Sequence, residues 1–214
     1  MTEEDKGYWR EMHNIEVIPN AALLVGDMYS NVSRHRVIAV GRLDYQKGFD
    51  RLLKAWTIIA KQELYKDWIL DIYGQGEWHD LLWQMIDEYG ISDSAYIHKP
   101  TTYIRNEYIN SSMLVMSSNY EGFPMVMIEA MSCGVPVVSF DYKSGPKDII
   151  QHGMNGLLVH NGDINGLAEA MMKLMKDEEY RKILSANARK VTTTYSEKVV
   201  MDKWVGMFRS LVDK

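Results

Sequence analysis

From Val37 onward the chain alternates short apolar runs with amphipathic stretches. VIAVG ends in Gly41 and WILDIYG ends in Gly74; AYI, MLVMSS, PVVSF and GLLV follow. Such near-continuous hydrophobic runs read as strands buried on both faces. Between them, Leu52, Leu53, Trp56, Ile59 and Ala60 share one helical face, as do Leu81, Leu82, Met85, Ile86 and Tyr89. TYIRNEYIN, FPMVMIEAMSC and PKDIIQ read as shorter helices, and two or three helices close the chain from Ile164. This alternation, with its short connections, predicts an α/β fold: a doubly wound parallel sheet of about six strands, covered by helices on both faces. Ligands of such sheets bind beyond the carboxyl ends of the strands. The loops after Val40, Tyr73, Ile97, Ser118 and Phe140 are therefore the first places to look for chemistry.

Residues before Val37 lack this rhythm. Met1 to Asn14 is polar and reads as a short helix, with Thr2 as N-cap and Asp5 as a weak capping partner. IEVIPN is a short apolar run that Pro19 and Asn20 hold extended and then turn. Ala21 to Arg36 reads as a connector. The first 14 residues are charged and lack the apolar core of a signal peptide. No apolar run approaches the roughly 18 to 20 residues of a membrane span.

Composition narrows the functional classes. The 214 residues are 46% hydrophobic and 25% charged, as in a globular chain with one large or two small α/β domains. A net charge of −5 argues against broad nucleic-acid binding, which needs basic surface to displace counterions. A nucleotide remains compatible, because local cations and helix N-termini can hold a diphosphate. The single cysteine, Cys133, excludes an intrachain disulfide and a site built on several thiolates, and fits a reducing compartment. The histidines stand at no metal-type spacing, and no nucleophile elbow is present.

Four loops carry candidate chemistry. GRLDYQKGF places Arg42 and Lys47, a planar fork and a mobile point charge, at the carboxyl edge of the sheet, where they could neutralise a diphosphate; a solvated turn would use the same residues. Gly74 and Gly76 permit close backbone approach by a ligand, or a tight turn. In SSNYEGFPMVMIEAMSCG, Glu121 directly follows a strand, Gly122 leaves room beside the backbone, and Pro124 suits the first turn of a helix whose N-terminus would face an anion. Glu129 lies further along that helix, and two carboxylates there suit the vicinal hydroxyls of a ribose or a sugar. Gly145 and Pro146, with Ser144 as cap, offer a second helix N-terminus.

Taken together, GRLDYQKGFDRLLKAW, YGQGEWHDLL, EGFPMVMIEAMSCGVPVVSFD, GPKDII and NGLLV resemble glycosyltransferase family 4, and in particular its C-terminal donor-binding domain. The resemblance runs from about Val37 to Lys176 and more weakly to the C-terminus. It implies a Rossmann-like domain, the C-terminal half of a GT-B fold, and sugar transfer with retention from a nucleotide-diphosphate sugar, UDP-sugar foremost, in polysaccharide or glycolipid synthesis. By the same resemblance Arg42 and Lys47 hold the diphosphate, and Glu121, the candidate catalytic residue, orients the donor sugar. The backbone at Gly122, Phe123 and Pro124 assists Glu121, Glu129 holds the ribose hydroxyls, and the backbone of the segment around Ile97 and His98 meets the base. Lys99 stands where the family often has glycine, which puts the base contacts in doubt. Neither a metal nor a further cofactor is implied, and the two glutamates are not read as a hydrolase's acid/base pair.

The resemblance also divides the chain. Residues 1–36 correspond to the end of an N-terminal domain and a linker, 37–195 to the nucleotide-sugar-binding domain, and 196–214 to a helix that crosses back. The partners implied are the donor, a missing N-terminal acceptor domain and a glycolipid acceptor at a membrane surface, with no nucleic acid. A cytoplasmic location follows, with membrane association open to the longer protein. The alternatives are a non-catalytic nucleotide-sugar-binding module and an interaction domain that has lost its ligand. This chain alone is expected to bind donor weakly and transfer nothing.

Overall fold

The computed structural model describes residues 6–9, 15–22 and 28–212. The apolar runs form β1 (Arg36–Val40), β2 (Ile69–Tyr73), β3 (Ala95–His98), β4 (Met113–Met116), β5 (Val137–Asp141) and β6 (Gly156–His160). The amphipathic stretches form α1 (Phe49–Ala60), α2 (His79–Glu88), α3 (Ile104–Ile109), α4 (Met125–Ser132), α5 (Pro146–Ile149) and α6 (Ile164–Lys176). Then come α7 (Glu178–Ala188), α8 (Thr192–Tyr195) and α9 (Glu197–Val212). Every strand pairing is parallel, in the order β3-β2-β1-β4-β5-β6. This is the doubly wound α/β sheet that the hydrophobic pattern predicts. The winding reverses between β1 and β4, so a crevice opens beyond their carboxyl ends.

The central strands are buried because helices cover both faces; Val37, Ile38, Leu70, Ile72, Leu114 and Val138 sit in one continuous core. On α1 the buried stripe runs through Phe49, Leu52, Leu53, Trp56 and Ile59, and Ala60 falls past its edge into solvent. Leu81 is likewise 44% exposed, one step around α2 from buried Leu82. Apolar character alone widened both expected faces. Four helices rather than two or three close the chain. Asp177 starts α7 by accepting from the Tyr180 N–H, and extended Ser196 separates α8 from α9.

IEVIPN forms no strand; residues 15–20 are irregular, and the chain then meets the body at a bridge from Ala22 to Ser196. The expected helix over 1–14 falls mostly outside the described residues, as do Thr2 and Asp5; a 3-10 turn, Gly7–Trp9, lies within it. Ahead of β1, Ser30 and Val32 are buried, and Arg181, also buried, donates to the Val32 carbonyl at 2.9 Å. On α9 only Val200 is buried; Trp204 and Phe208 stack at 5.7 Å on a face that also exposes Met201 and Leu211. Among the described residues no helix is long and apolar enough to cross a membrane.

Candidate functional site

The loop after β1 begins with Gly41 and folds into a 3-10 turn, Tyr45–Lys47. Asp44 caps that turn by accepting from the Lys47 N–H at 3.1 Å, and Gly48 closes it with φ 61°. The loop after β4 is stapled to it. The Asn119 N–H donates to the Gln46 carbonyl at 2.8 Å, and the Ser117 hydroxyl to the Lys47 carbonyl at 3.1 Å. These contacts bring Lys47 and Glu121 together at the point where the winding reverses.

Lys47 Nζ lies 2.6 Å from Glu121 Oε1, and the side chains are only 14% and 8% exposed. The Ser118 hydroxyl donates to the same carboxylate oxygen at 2.7 Å. Gln46 Nε2 reaches Glu121 Oε2 at 3.4 Å, while its Oε1 accepts from Arg42 at 2.9 Å. The Arg42 guanidinium also meets Asp44 at 3.2 Å, but its side chain is 70% exposed, so it stands over the mouth of the site.

Beside this cluster lies a cleft of about 320 Å³, within the range of small-molecule sites. Arg42, Gly41 and Gln75 form one side, Pro100 and Thr101 another, and Tyr73, Tyr108 and Glu129 contribute to the wall. Burial pushes the Glu129 carboxyl above its ordinary range, against the opposing effect of the Tyr108 hydroxyl that donates to it at 3.4 Å. Burial and the adjacent Glu129 charge raise Tyr108 well above its usual value, so it remains a donor.

The expected base-contacting residues are placed differently from the rest. His98 does not line the cleft: its ring stacks on Tyr73 at 4.7 Å and hydrogen-bonds Asp71, and its carbonyl accepts from the Gly74 N–H. Ile97 is held within β3. Pro100 and Thr101, just beyond, take the rim position. Asp71 is bonded on its other side by Arg36, which also pairs with Glu107 at 2.8 Å. Tyr73 completes this network by donating to Glu107 at 2.7 Å; burial and that bond push its phenol up to about 12.

Gly122 has open space where a side chain would stand, so any close approach there comes from outside the chain. Phe123 packs toward Tyr195 at 5.9 Å, and Pro124 is buried at the N-cap of α4, one position before the first turn. Gly74 and Gly76 sit in close packing, where an added Cβ would lie 2.0 Å from the Gly41 carbonyl and 2.4 Å from that of Leu43, and Gly74 also lines the cleft. The turn before α5 departs from expectation, for Gly145 rather than Ser144 holds the cap and no side chain caps that helix. Ser144 has φ 68°, outside the geometry of an N-cap.

The sequence pattern did not single out Gln46, Ser118, Tyr73, Thr101 or Tyr108. Gln46 and Ser118 sit inside the two motif loops. Tyr108 comes from α3 and carries no local signal of its proximity to Glu129.

The family model for glycosyl transferases group 1 matches residues 30–191. An uncharacterized glycosyltransferase of Haemophilus influenzae is 32% identical over 211 residues, covering 97% of this chain and 59% of its own length. The amylovoran biosynthesis glycosyltransferase AmsD of Erwinia amylovora is 33% identical over 215 residues, covering 95% of this chain and 59% of its own. Among solved structures, a S. aureus TarM mutant in complex with fondaparinux, alpha-GlcNAc-glycerol and UDP superposes with a TM-score of 0.84. It is 26% identical and covers 97% of this chain and 43% of its own. The chain thus spans 59% of the length of these two relatives and 43% of that of the TarM mutant.

Proposed function

The chain belongs to the group 1 glycosyl transferases, and from that premise we propose that it is the donor-binding part of a retaining family 4 enzyme. The enzyme would carry a sugar from a UDP-sugar to a hydroxyl acceptor in polysaccharide or glycolipid synthesis. The observation that carries this reading is the Lys47–Glu121 pair at the winding reversal, with Arg42 and Glu129 on the cleft beside it. UDP in the TarM mutant complex and the amylovoran role named for AmsD support the choice of donor and pathway class.

In this reading the diphosphate lies against Arg42 and Lys47, which take up the negative charge that develops as the leaving group departs. Glu121 faces the sugar and positions it by accepting from its hydroxyls, with the backbone at Gly122, Phe123 and Pro124 alongside. Glu129 holds the ribose hydroxyls, and the base lies beyond β3, beside Pro100 and Thr101. Residues 1–36 and 196–214 belong to the junction with an acceptor domain, whose contact would cover the apolar face of α9. The acceptor would be presented at a membrane surface or on a growing glycan, and this chain alone would bind donor without turnover.

Calorimetry with UDP tests the site. Lys47→Ala should weaken binding far more than Glu63→Ala, on the exposed turn after α1. Equal effects, or no UDP binding by the parent at millimolar concentration, would sink the assignment.

A further inference from the structure

We propose that Gln46 is a positioning residue that couples the two halves of the donor site. It would set the guanidinium that meets the diphosphate and the carboxylate that meets the sugar. The inference rests on the donor-site reading above and extends it to a residue outside the charged motif.

Gln46 is the only group that the structure places in hydrogen-bond contact with both Arg42 and Glu121 among the described residues. Its amide is oriented by charge: the oxygen faces a cation and the nitrogen faces an anion, and the opposite orientation would set a donor against a donor and an acceptor against an acceptor. Its backbone is fixed independently of either contact. The 3-10 turn holds it between Asp44 and Gly48, and the Asn119 N–H binds its carbonyl at 2.8 Å. The side chain therefore spans a set distance from a rigid base.

The two contacted groups differ in how much they need that help. Glu121 is already held by Lys47 and Ser118 through Oε1, which leaves Gln46 as the partner of Oε2. Arg42 is largely solvated, with Asp44 as its second anchor. Without Gln46 the guanidinium would keep only Asp44 as an anchor, and Glu121 Oε2 would lose its partner. Both costs would fall on ligand binding, because ordering long side chains is charged against affinity.

The test separates the halves by ligand, using UMP, UDP, and the tightest-binding of UDP-glucose, UDP-galactose and UDP-N-acetylglucosamine. The gain from UMP to UDP reads the Arg42 half, and the gain from UDP to the UDP-sugar reads the Glu121 half. Gln46→Ala should leave UMP binding unchanged and reduce each gain severalfold, together about tenfold, or about 1.4 kcal/mol. Gln46→Glu keeps the acceptor for Arg42 but sets a second carboxylate against Glu121 and beside the diphosphate, so it should keep part of the UDP gain, weakened by the added charge, and lose the sugar gain. That split is one a merely structural residue would not produce.

The proposal fails if both gains survive in Gln46→Ala within twofold. It fails also if Gln46→Glu loses both gains alike, or if UMP binding falls in parallel with the others. A parent chain that binds UDP but gains nothing from any of the three sugars overturns the coupling and leaves the UDP site standing. A parent chain that binds none of the ligands overturns the donor site itself, and this role with it. Should Gln46→Ala fail to fold, the Gln46→Glu split decides alone.

Discussion

Lys47→Met removes the cation from a pair whose nitrogen and oxygen are 2.6 Å apart and nearly out of solvent. At an effective dielectric of 20 the gross attraction is about 6 kcal/mol, and desolvation of the two ions offsets much of it. The cost of the substitution comes mainly from the carboxylate left behind. Breaking a buried pair from one side costs about 3 to 5 kcal/mol, but Glu121 keeps the Ser118 hydroxyl at 2.7 Å and the longer Gln46 contact. We therefore expect a loss of about 2 kcal/mol, a Tm lower by about 4 to 8 °C for a chain of this size. Glu121→Gln should cost about 1 kcal/mol, since the flexible lysine stem can carry its charge toward water. In the double variant no ion is stranded, so urea unfolding should give a coupling of about 1 to 2 kcal/mol. A surface pair would lose its coupling in 1 M salt, whereas this one should keep most of it. UDP binding supplies the other arm: Lys47→Met should weaken it by about tenfold or more, while Glu121→Gln should leave it unchanged or tighter, because the lysine no longer has a competing anion. A coupling under about 0.5 kcal/mol, or UDP weakened equally by both substitutions, would refute the reasoning.

Three further outcomes follow from the structure. Burial raises the Glu129 carboxyl in the folded state, so the stability it contributes is present below the ordinary glutamate range and is lost as pH rises through the raised value. Glu129→Gln should therefore be at least as stable as the parent at pH 7 in urea titrations, yet bind UDP more weakly; a variant clearly less stable at pH 7 contradicts the buried-carboxylate account. Glu107 behaves in the opposite sense: burial pushes its carboxyl up, but bonds from Tyr73 and Arg36 together win and hold it low. Its stability is present above the ordinary glutamate range and lost on acidification, so Glu107→Gln should cost about 1 to 2 kcal/mol at pH 7 and progressively less as pH falls below the usual glutamate value; a pH-independent loss counts against it. Gly74→Ala drives a methyl into the Gly41 carbonyl and should destabilise by more than about 2 kcal/mol. Saturating UDP should not restore the parent's melting temperature, and full rescue would mean that the glycine serves the ligand instead.

The strands and most helices were legible because burial on two faces leaves an unbroken apolar run, and one-sided burial leaves a 3.6-residue period. The errors came where periodicity is blind. Ala60 and Leu81 are apolar residues one step beyond a stripe, and nothing local fixes where the stripe ends. The Arg36–Asp71–His98 and Tyr73–Glu107 contacts join residues 27 to 35 positions apart, so no local window could reveal them. One trace was visible: an aspartate in the middle of the buried run WILDIYG needs a buried partner. That partner set engages the His98 ring, while Pro100 and Thr101, just beyond it, line the cleft.

The candidate site was legible for a different reason. A doubly wound sheet gathers its loops at the carboxyl edge, so motifs separated by some 74 residues in sequence meet at the reversal between β1 and β4. Residue type gave the cations and carboxylates, but it could not say that they would face one another before any ligand arrives. Lys47 could as well have pointed into solvent. Its pairing with Glu121 means that the cluster is nearly self-neutralised at its centre, while the exposed Arg42 keeps its charge at the mouth. A diphosphate approaching this edge would meet Arg42 first and then compete with Glu121 for Lys47. In the proposed reading a donor sugar would offer hydroxyls to the carboxylate as the phosphate takes the lysine, so sugar and phosphate together would replace the internal pair in a way that neither does alone.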